Sequence, residues 1–279
     1  MKAKLSTGKP WYKSSTTSYH WTKYLVFGAI AFLMAATGRN KYREVPIISE
    51  VSFREGEKMT YYVAYGLIKA GEAELTINPS KKIPGQFHIV GTGNSYSFFD
   101  VFFKVRDRYE TYFDPNKKVP TEFVRDINEG GYSKQQHYVF DHASKTVFDI
   151  KKQREYSMDH ERTQDILSAF YYARLLDTRN LQVGDRLYIP TFLDEEMFRF
   201  FLEFKGREVL STKHGKIRTL KFTPVVQKGR VFNDEETMTI WVTDDQNRMP
   251  ILLKSKLRVG AVRLELKEFA NLKTPPKFY

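Results

Sequence analysis

From Met59 the chain alternates: Met59, Tyr61, Val63 and Tyr65 are apolar, as are Ala73, Leu75 and Ile77 further on, while Glu72, Glu74 and Thr76 face the other way. A period of two puts one kind of side chain on one face of a strand, and no helix can do this. Lys69–Gly71 reads as a turn or bulge between two such strands. Further strand-like runs are Gln86–Gly91, Phe102–Phe113, Thr121–Ile127, Gln136–Phe140 and Thr146–Lys151 in the first half of the chain. In the second half they are Arg186–Phe192, Phe198–Val209, Lys216–Val226, Glu236–Thr243, Ile251–Leu257 and Ala261–Phe269. Turn residues punctuate them: Pro84–Gly85, Asp114–Asn116, Gly130–Gly131, His214–Gly215 and Asp244–Asn247. The connections are short enough for antiparallel meanders and too short for crossover helices.

One segment breaks the pattern. Ile166, Phe170 and Ala173, with Leu167, Tyr171, Leu175 and Leu176, follow helical spacing. They predict a helix over 163–177, with Thr163 as N-cap and Asp165 in the positive first turn. The fold class is therefore α+β and predominantly antiparallel β: a curved sheet, sandwich or half-barrel packed on one main helix at about 163–177. Residues 50–279 read as a single β-rich domain, with a seam near Asp177–Gly184 that could divide two sheet halves.

Residues 1–23 are polar and basic, and 24–36 are apolar. Thirteen residues reach only ~20 Å as a helix, against a hydrocarbon core of ~30 Å. A basic flank, a short apolar run and small residues at Ala35–Gly38 predict a signal peptide, or an N-terminal anchor, over 1–38. The body is then exported to the periplasm or cell envelope, and it meets the membrane only through residues 24–36.

Three groups of residues carry a family resemblance. Phe53–Glu57, Tyr61–Gly66 and Ala70–Ala73 form the first. Phe103–Asp114, Glu129–Tyr132 and Gln164–Arg174 form the second, and Trp241–Asp245, Arg248–Pro250 and Gly260–Leu266 the third. In this order they resemble the bacterial exported "domain of unknown function 3108" family over about residues 50–270. The resemblance implies secretion; it implies no activity and transfers no catalytic residue.

The chemistry candidates are few. The absence of cysteine removes thiol catalysis and cysteine zinc sites. The net charge of +12 suggests nucleic acid, yet residues 1–38 hold five lysines and no acid, which leaves 40 basic against 33 acidic residues in the rest. No nucleic-acid partner follows from that mild excess. The six histidines lack metal-ligand spacing, so neither a metal nor a cofactor is expected. Ser168 reads as a small packing residue inside the helix. The acidic runs Asp244–Asp245, Asp194–Glu196 and Asp234–Glu236 read as solvated turns.

The anomaly is Asp107, which shares the parity of Phe103, Val105, Tyr109, Thr111 and Phe113. Arg125 shares that of Phe123 and Ile127. If Asp114–Pro120 closes a hairpin, Tyr109 lies opposite Arg125, with Asp107 diagonal to it. Asp107 and Arg125 are thus expected as a ligand-binding pair or a buried ion pair. Two functions stay open. One is a non-enzymatic cell-envelope protein that binds or carries an amphipathic ligand (a lipid, an acyl chain or a glycan) or scaffolds envelope proteins. The alternative is an exported, carboxylate-dependent hydrolase of envelope polymers. A membrane β-barrel fits less well, because the internal helix interrupts the strands.

Overall fold

Alternation with short turns gives hairpins, and here all the hairpins join. The structure, a computed structural model, describes residues 45–225, 238–257 and 260–279. Its strands form one antiparallel sheet of fourteen. Eight meander outward in chain order: β1 (Lys58–Tyr65), β2 (Ile68–Pro79), β3 (Phe87–Ser95), β4 (Arg106–Asp114), β5 (Val119–Glu129), β6 (Tyr132–Asp141), β7 (Thr146–Asp149) and β8 (Arg154–Ser157). Residues 158–185 then cross to the far edge. From there β9 (Arg186–Leu193), β10 (Glu196–Thr212), β11 (Gly215–Val225), β12 (Met238–Thr243), β13 (Pro250–Lys256) and β14 (Ala261–Ala270) meander back until β14 pairs with β1. The first and last strands are neighbours in mid-sheet, and the edges are β8 and β9.

The predicted parity sets the inner face. Met59, Tyr61 and Val63 of β1 are buried, as are Ala73, Leu75 and Ile77 of β2 and Tyr109, Thr111 and Phe113 of β4. Edge strand β9 is buried on both faces from Ile189 to Leu193. Its Phe192 packs on Tyr138, Phe140 and Tyr156 of β6 and β8, with ring centroids 5.3, 6.3 and 5.7 Å away. Among the described residues, side chains and not a ladder thus bring the edges β8 and β9 of the rolled sheet together, and Gln164, bonded to Pro190 and Phe192, covers the β9 edge against intermolecular pairing. The break expected at Lys69–Gly71 is a bulge: Val63 pairs with Gly71 and Ala64 with Lys69. Gly71 is needed because a Cβ there would run into the Asn94 carbonyl oxygen of β3.

The helical expectation needs correction. Only Ile166–Ala173 is helical (α2), and the sheet is not built on one main helix. Gln164 is instead extended and bridges Thr191 of β9. Asp165, not Thr163, is the N-cap, accepting from the amides of Leu167 and Ser168. Beyond Ala173 the backbone turns to other partners: Leu175 accepts from the Ile48 amide, and Asp177 donates to the Pro46 carbonyl. These long-range bonds outcompete another turn of helix. A second difference lies at Ser97–Phe103, which forms a short helix (α1) where a strand was expected to begin at Phe102. These aromatics have strand propensity, but the β3–β4 ladder ends at Asn94–Arg106 and leaves them no partner strand. The N-terminal segment 1–38, including the 24–36 run, lies outside the described residues, as does Asp234–Glu236.

Candidate functional site

Between α2 and the inner faces of β1, β2, β4 and β9–β14 the side chains leave a cavity of about 120 Å³. Its wall is overwhelmingly apolar; Leu75, Ile189, Phe200, Phe222, Leu253 and Leu264 are representative. The space is close to that of a dry protein cavity, ~150 Å³, that accepts benzene. Strand alternation explains most of the lining, since the contributing strands turn one apolar parity inward; β13, opposite a bulge at Trp241–Val242, presents both Leu252 and Leu253. Ala169, Phe170 and Ala173 of α2 supply the opposite wall, and the two alanines leave room there.

Four ionisable side chains reach this wall: Tyr61, Tyr109, Arg174 and Arg248. The Tyr61 hydroxyl donates to the Pro250 carbonyl at 3.2 Å. Burial raises its pKa, against the charge of Arg174, so it stays neutral. Arg174 is buried and bidentate with buried Glu57, at 2.5 and 3.1 Å, and its Nε donates to the Asn247 carbonyl. That guanidinium is fully committed. Arg248 differs. Its Nε donates to the Thr178 hydroxyl at 3.2 Å and its Nη1 to the Arg174 carbonyl at 3.1 Å. Nη2 makes no hydrogen bond, and no carboxylate forms an ion pair with Arg248, among the described residues. Burial lowers its pKa, opposed by the more distant charges of Asp177 and Asp245, yet a guanidinium stays charged.

The Arg248 loop is built by Asp245. One carboxylate oxygen accepts from the Thr243 hydroxyl and from the amides of Asn247 and Arg248, an arrangement that holds Arg248 at φ +45°. Asp245 therefore organises a loop that delivers a cation to the cavity. Periodicity could not reveal Arg248, because a loop has no face. Its signal was the acidic turn just ahead of it.

Asp107 and Arg125 lie elsewhere, on β4 and β5, both buried and with Tyr109 opposite Arg125. The Arg125 Nη2 bonds Asp194 of the β9–β10 turn at 3.0 Å, and Lys134 reaches the same oxygen at 2.6 Å. Arg125 Nε and Nη1 have no hydrogen-bond partner among the described residues. Asp107 accepts from the Asn128 amide and hydrogen-bonds the Glu129 side chain. Burial pushes the Asp107 carboxyl up, while Glu129, the Asn128 amide and Arg125 pull against it. The structure thus gathers a polar cluster here, and the guanidinium's direct bond goes to a third residue. Asp194 and Glu195 do not form a solvated turn: Asp194 docks on Arg125, and Glu195 bonds Lys152 and Tyr156.

The remaining candidates are structural. Ser168 is not merely small; its hydroxyl accepts from the Asp165 amide and completes a reciprocal cap. Asp165 also accepts from Thr111 of β4 at 2.9 Å, which ties α2 to the sheet. His88 and His137 bond Glu110 and Glu122, and among the described residues no three metal-ligating side chains converge.

Comparison with known proteins bears on the fold and on kinship. The sequence model of a family described as a protein of unknown function (DUF3108) matches residues 60–267. No curated protein matches the sequence. The structure resembles the beta-barrel-like protein of domain of unknown function DUF1849 from Brucella abortus, with a TM-score of 0.51 at 10% identity, covering 82% of this chain and 98% of that one. The hypothetical protein CT021 of Chlamydia trachomatis (0.34, 10%, 82% and 95%) and a DUF1089 family protein of Pseudomonas aeruginosa (0.30, 10%, 77% and 94%) superpose less closely. The likeness to the Brucella protein is one of fold alone.

Proposed function

Because this chain belongs to the DUF3108 family, which is of unknown function, it inherits no activity, and we propose that it is a non-enzymatic cell-envelope protein that binds or carries an amphipathic ligand. The apolar part of that ligand occupies the cavity under α2, and an anionic group meets Arg248. One observation carries the reading: two guanidiniums reach an apolar wall, and while Arg174 is paired with Glu57, Arg248 forms no direct ion pair among the described residues and feels only the more distant Asp177 and Asp245. A buried charge without a directly bonded counterion is costly, and an incoming carboxylate or phosphate would supply one. The basic flank and the 24–36 apolar run support export to the envelope.

The hydrolase reading draws less support. Asp107 and Glu129 do converge, but both are buried and directly hydrogen-bonded. Glycosidase carboxylates stand ~5 Å or more apart to leave room for the reacting centre. The inner face of the sheet is also apolar, the reverse of a water-filled membrane barrel.

Native mass spectrometry of protein purified without detergent, followed by titration with hexanoate and hexanol, whose tails match a cavity of about 120 Å³, tests the proposal. Saturable binding of one equivalent is expected. Arg248→Met should weaken hexanoate by roughly tenfold or more, the worth of one charge-assisted hydrogen bond, and leave hexanol nearly unchanged. Absence of saturable uptake of either compound would overturn the reading.

A further inference from the structure

Large apolar side chains are scarce on the outer surface, yet six of those exposed gather at one end of the sheet. Tyr65, Leu67 and Ile68 occupy the β1–β2 turn, with Leu67 94% and Ile68 60% exposed. Phe98, Val101 and Phe102 of α1 are 72%, 81% and 75% exposed. The topology makes the two groups neighbours. Gly71 of β2 pairs with Ser95 of β3, and the Tyr96 amide donates to the Ala70 carbonyl, so α1 starts beside the root of the β1–β2 turn. Phe98 packs edge-on against Phe99 and Phe102, which gives the patch a preformed aromatic ridge.

The charge around this end that is not held in an ion pair is positive. Lys69, Lys104 and Lys256 are exposed there. Lys256 belongs because it pairs with Ala261, whose carbonyl accepts from Gly66 in the β1–β2 turn. The nearby acids are already matched: Asp100 is bonded by Arg106, and Glu72 by Lys267 and Tyr96. Lys69 rests over the Tyr62 ring at 3.6 Å, and none of the three lysines is in an ion pair among the described residues. Protruding apolar side chains ringed by such lysines form the pattern of a surface that seats in the interfacial layer of a bilayer. A soluble end has no physical reason to hold six such groups in water.

We propose that this end of the sheet docks on an anionic phospholipid surface, with Leu67, Phe98, Val101 and Phe102 entering the interface and Lys69, Lys104 and Lys256 facing the headgroups. The contact is made by the folded body and is separate from any tethering by residues 24–36.

The absence of cysteine makes the test clean, since one introduced thiol in the full-length chain carries one environment-sensitive fluorophore. The labels go on Leu67→Cys and Val101→Cys, and on Asn116→Cys in the β4–β5 turn at the opposite sheet end. Mixed phosphatidylcholine–phosphatidylglycerol vesicles should blue-shift the first two labels and leave the third unchanged. Phosphatidylcholine vesicles alone should give a weaker shift. In the labelled Leu67→Cys protein, Phe98→Ser with Phe102→Ser should lower vesicle affinity at this end by about tenfold to a hundredfold. If the chain were held only through its N-terminal run, all three labels would stay equally wet, and the proposal would fail. A shift that grows with protein concentration in the absence of vesicles would assign the patch to a second copy and overturn it too.

Discussion

Replacing Asp194 by Asn tests whether the buried cluster on β4 and β5 depends on the β9–β10 turn. Asn tolerates the φ of +49° at this position and keeps an oxygen that can accept from Arg125, so the change removes chiefly charge. The Arg125 side chain is 0% exposed and its one hydrogen bond to an anion goes to Asp194. Breaking a buried pair outright costs about 3–5 kcal/mol; a surviving neutral acceptor, and the 39% exposure of Asp194, bring the expected loss to about 2–3 kcal/mol. For a chain of this size that lowers Tm by roughly 4–12 °C. Arg125→Met should cost less, about 1–2 kcal/mol, because Asp194 keeps Lys134 and water. Adding Asp194→Asn to Arg125→Met should then cost almost nothing, since no guanidinium remains to be stranded. Urea denaturation of the four proteins measures the coupling, expected at about 2 kcal/mol. A parallel cycle of Arg125→Met with Asp107→Asn should couple by less than about 1 kcal/mol, because burial has raised the Asp107 pKa and its bonds go to Glu129 and Asn128. Additive losses in the Arg125–Asp194 cycle would refute the docking argument.

Burial raises the Asp165 carboxyl from 3.8 to about 6, against the hydrogen bonds from Ser168, Thr111 and Leu167. The folded state therefore holds its proton more tightly than the unfolded chain. Its contribution is complete below about pH 4 and is lost as pH rises to about 6, by about 3 kcal/mol. Asp165→Asn, which can still accept at the cap, should erase that slope in denaturation midpoints measured across the window; an unchanged slope would locate the titration elsewhere. Phe170→Ala should cost only about 1–2 kcal/mol, because the ring is half-buried and already borders empty space. A loss of 3 kcal/mol or more in urea titration would show it packed on all sides.

Strand parity was legible wherever a run had one wet face and one dry one. Met59–Val63 and Asp107–Phe113 lie on the expected sides because alternation is set by the backbone itself. The Tyr109–Arg125 register followed from the short 114–120 turn for the same reason. The 163–177 helix was over-read, since apolar residues at helical spacing look alike whether their backbone bonds run locally or to distant segments. Arg248 was missed as a site residue because a loop side chain is aimed by its turn, here by Asp245.

By itself, then, the sequence determined the elements: antiparallel strands, their inward faces and the places where turns must fall, all of them consequences of local backbone geometry. Tertiary structure decided which elements meet. Pairing β14 with β1 places the chain's two halves side by side. Rolling brings Phe192 onto Tyr138 and Asp194 onto Arg125, and it leaves an apolar cavity with Arg248 in its wall. Those contacts join residues tens to more than a hundred positions apart. Chain spacing carries no information at that range, and only the packing of the whole sheet can choose among the ways of closing it.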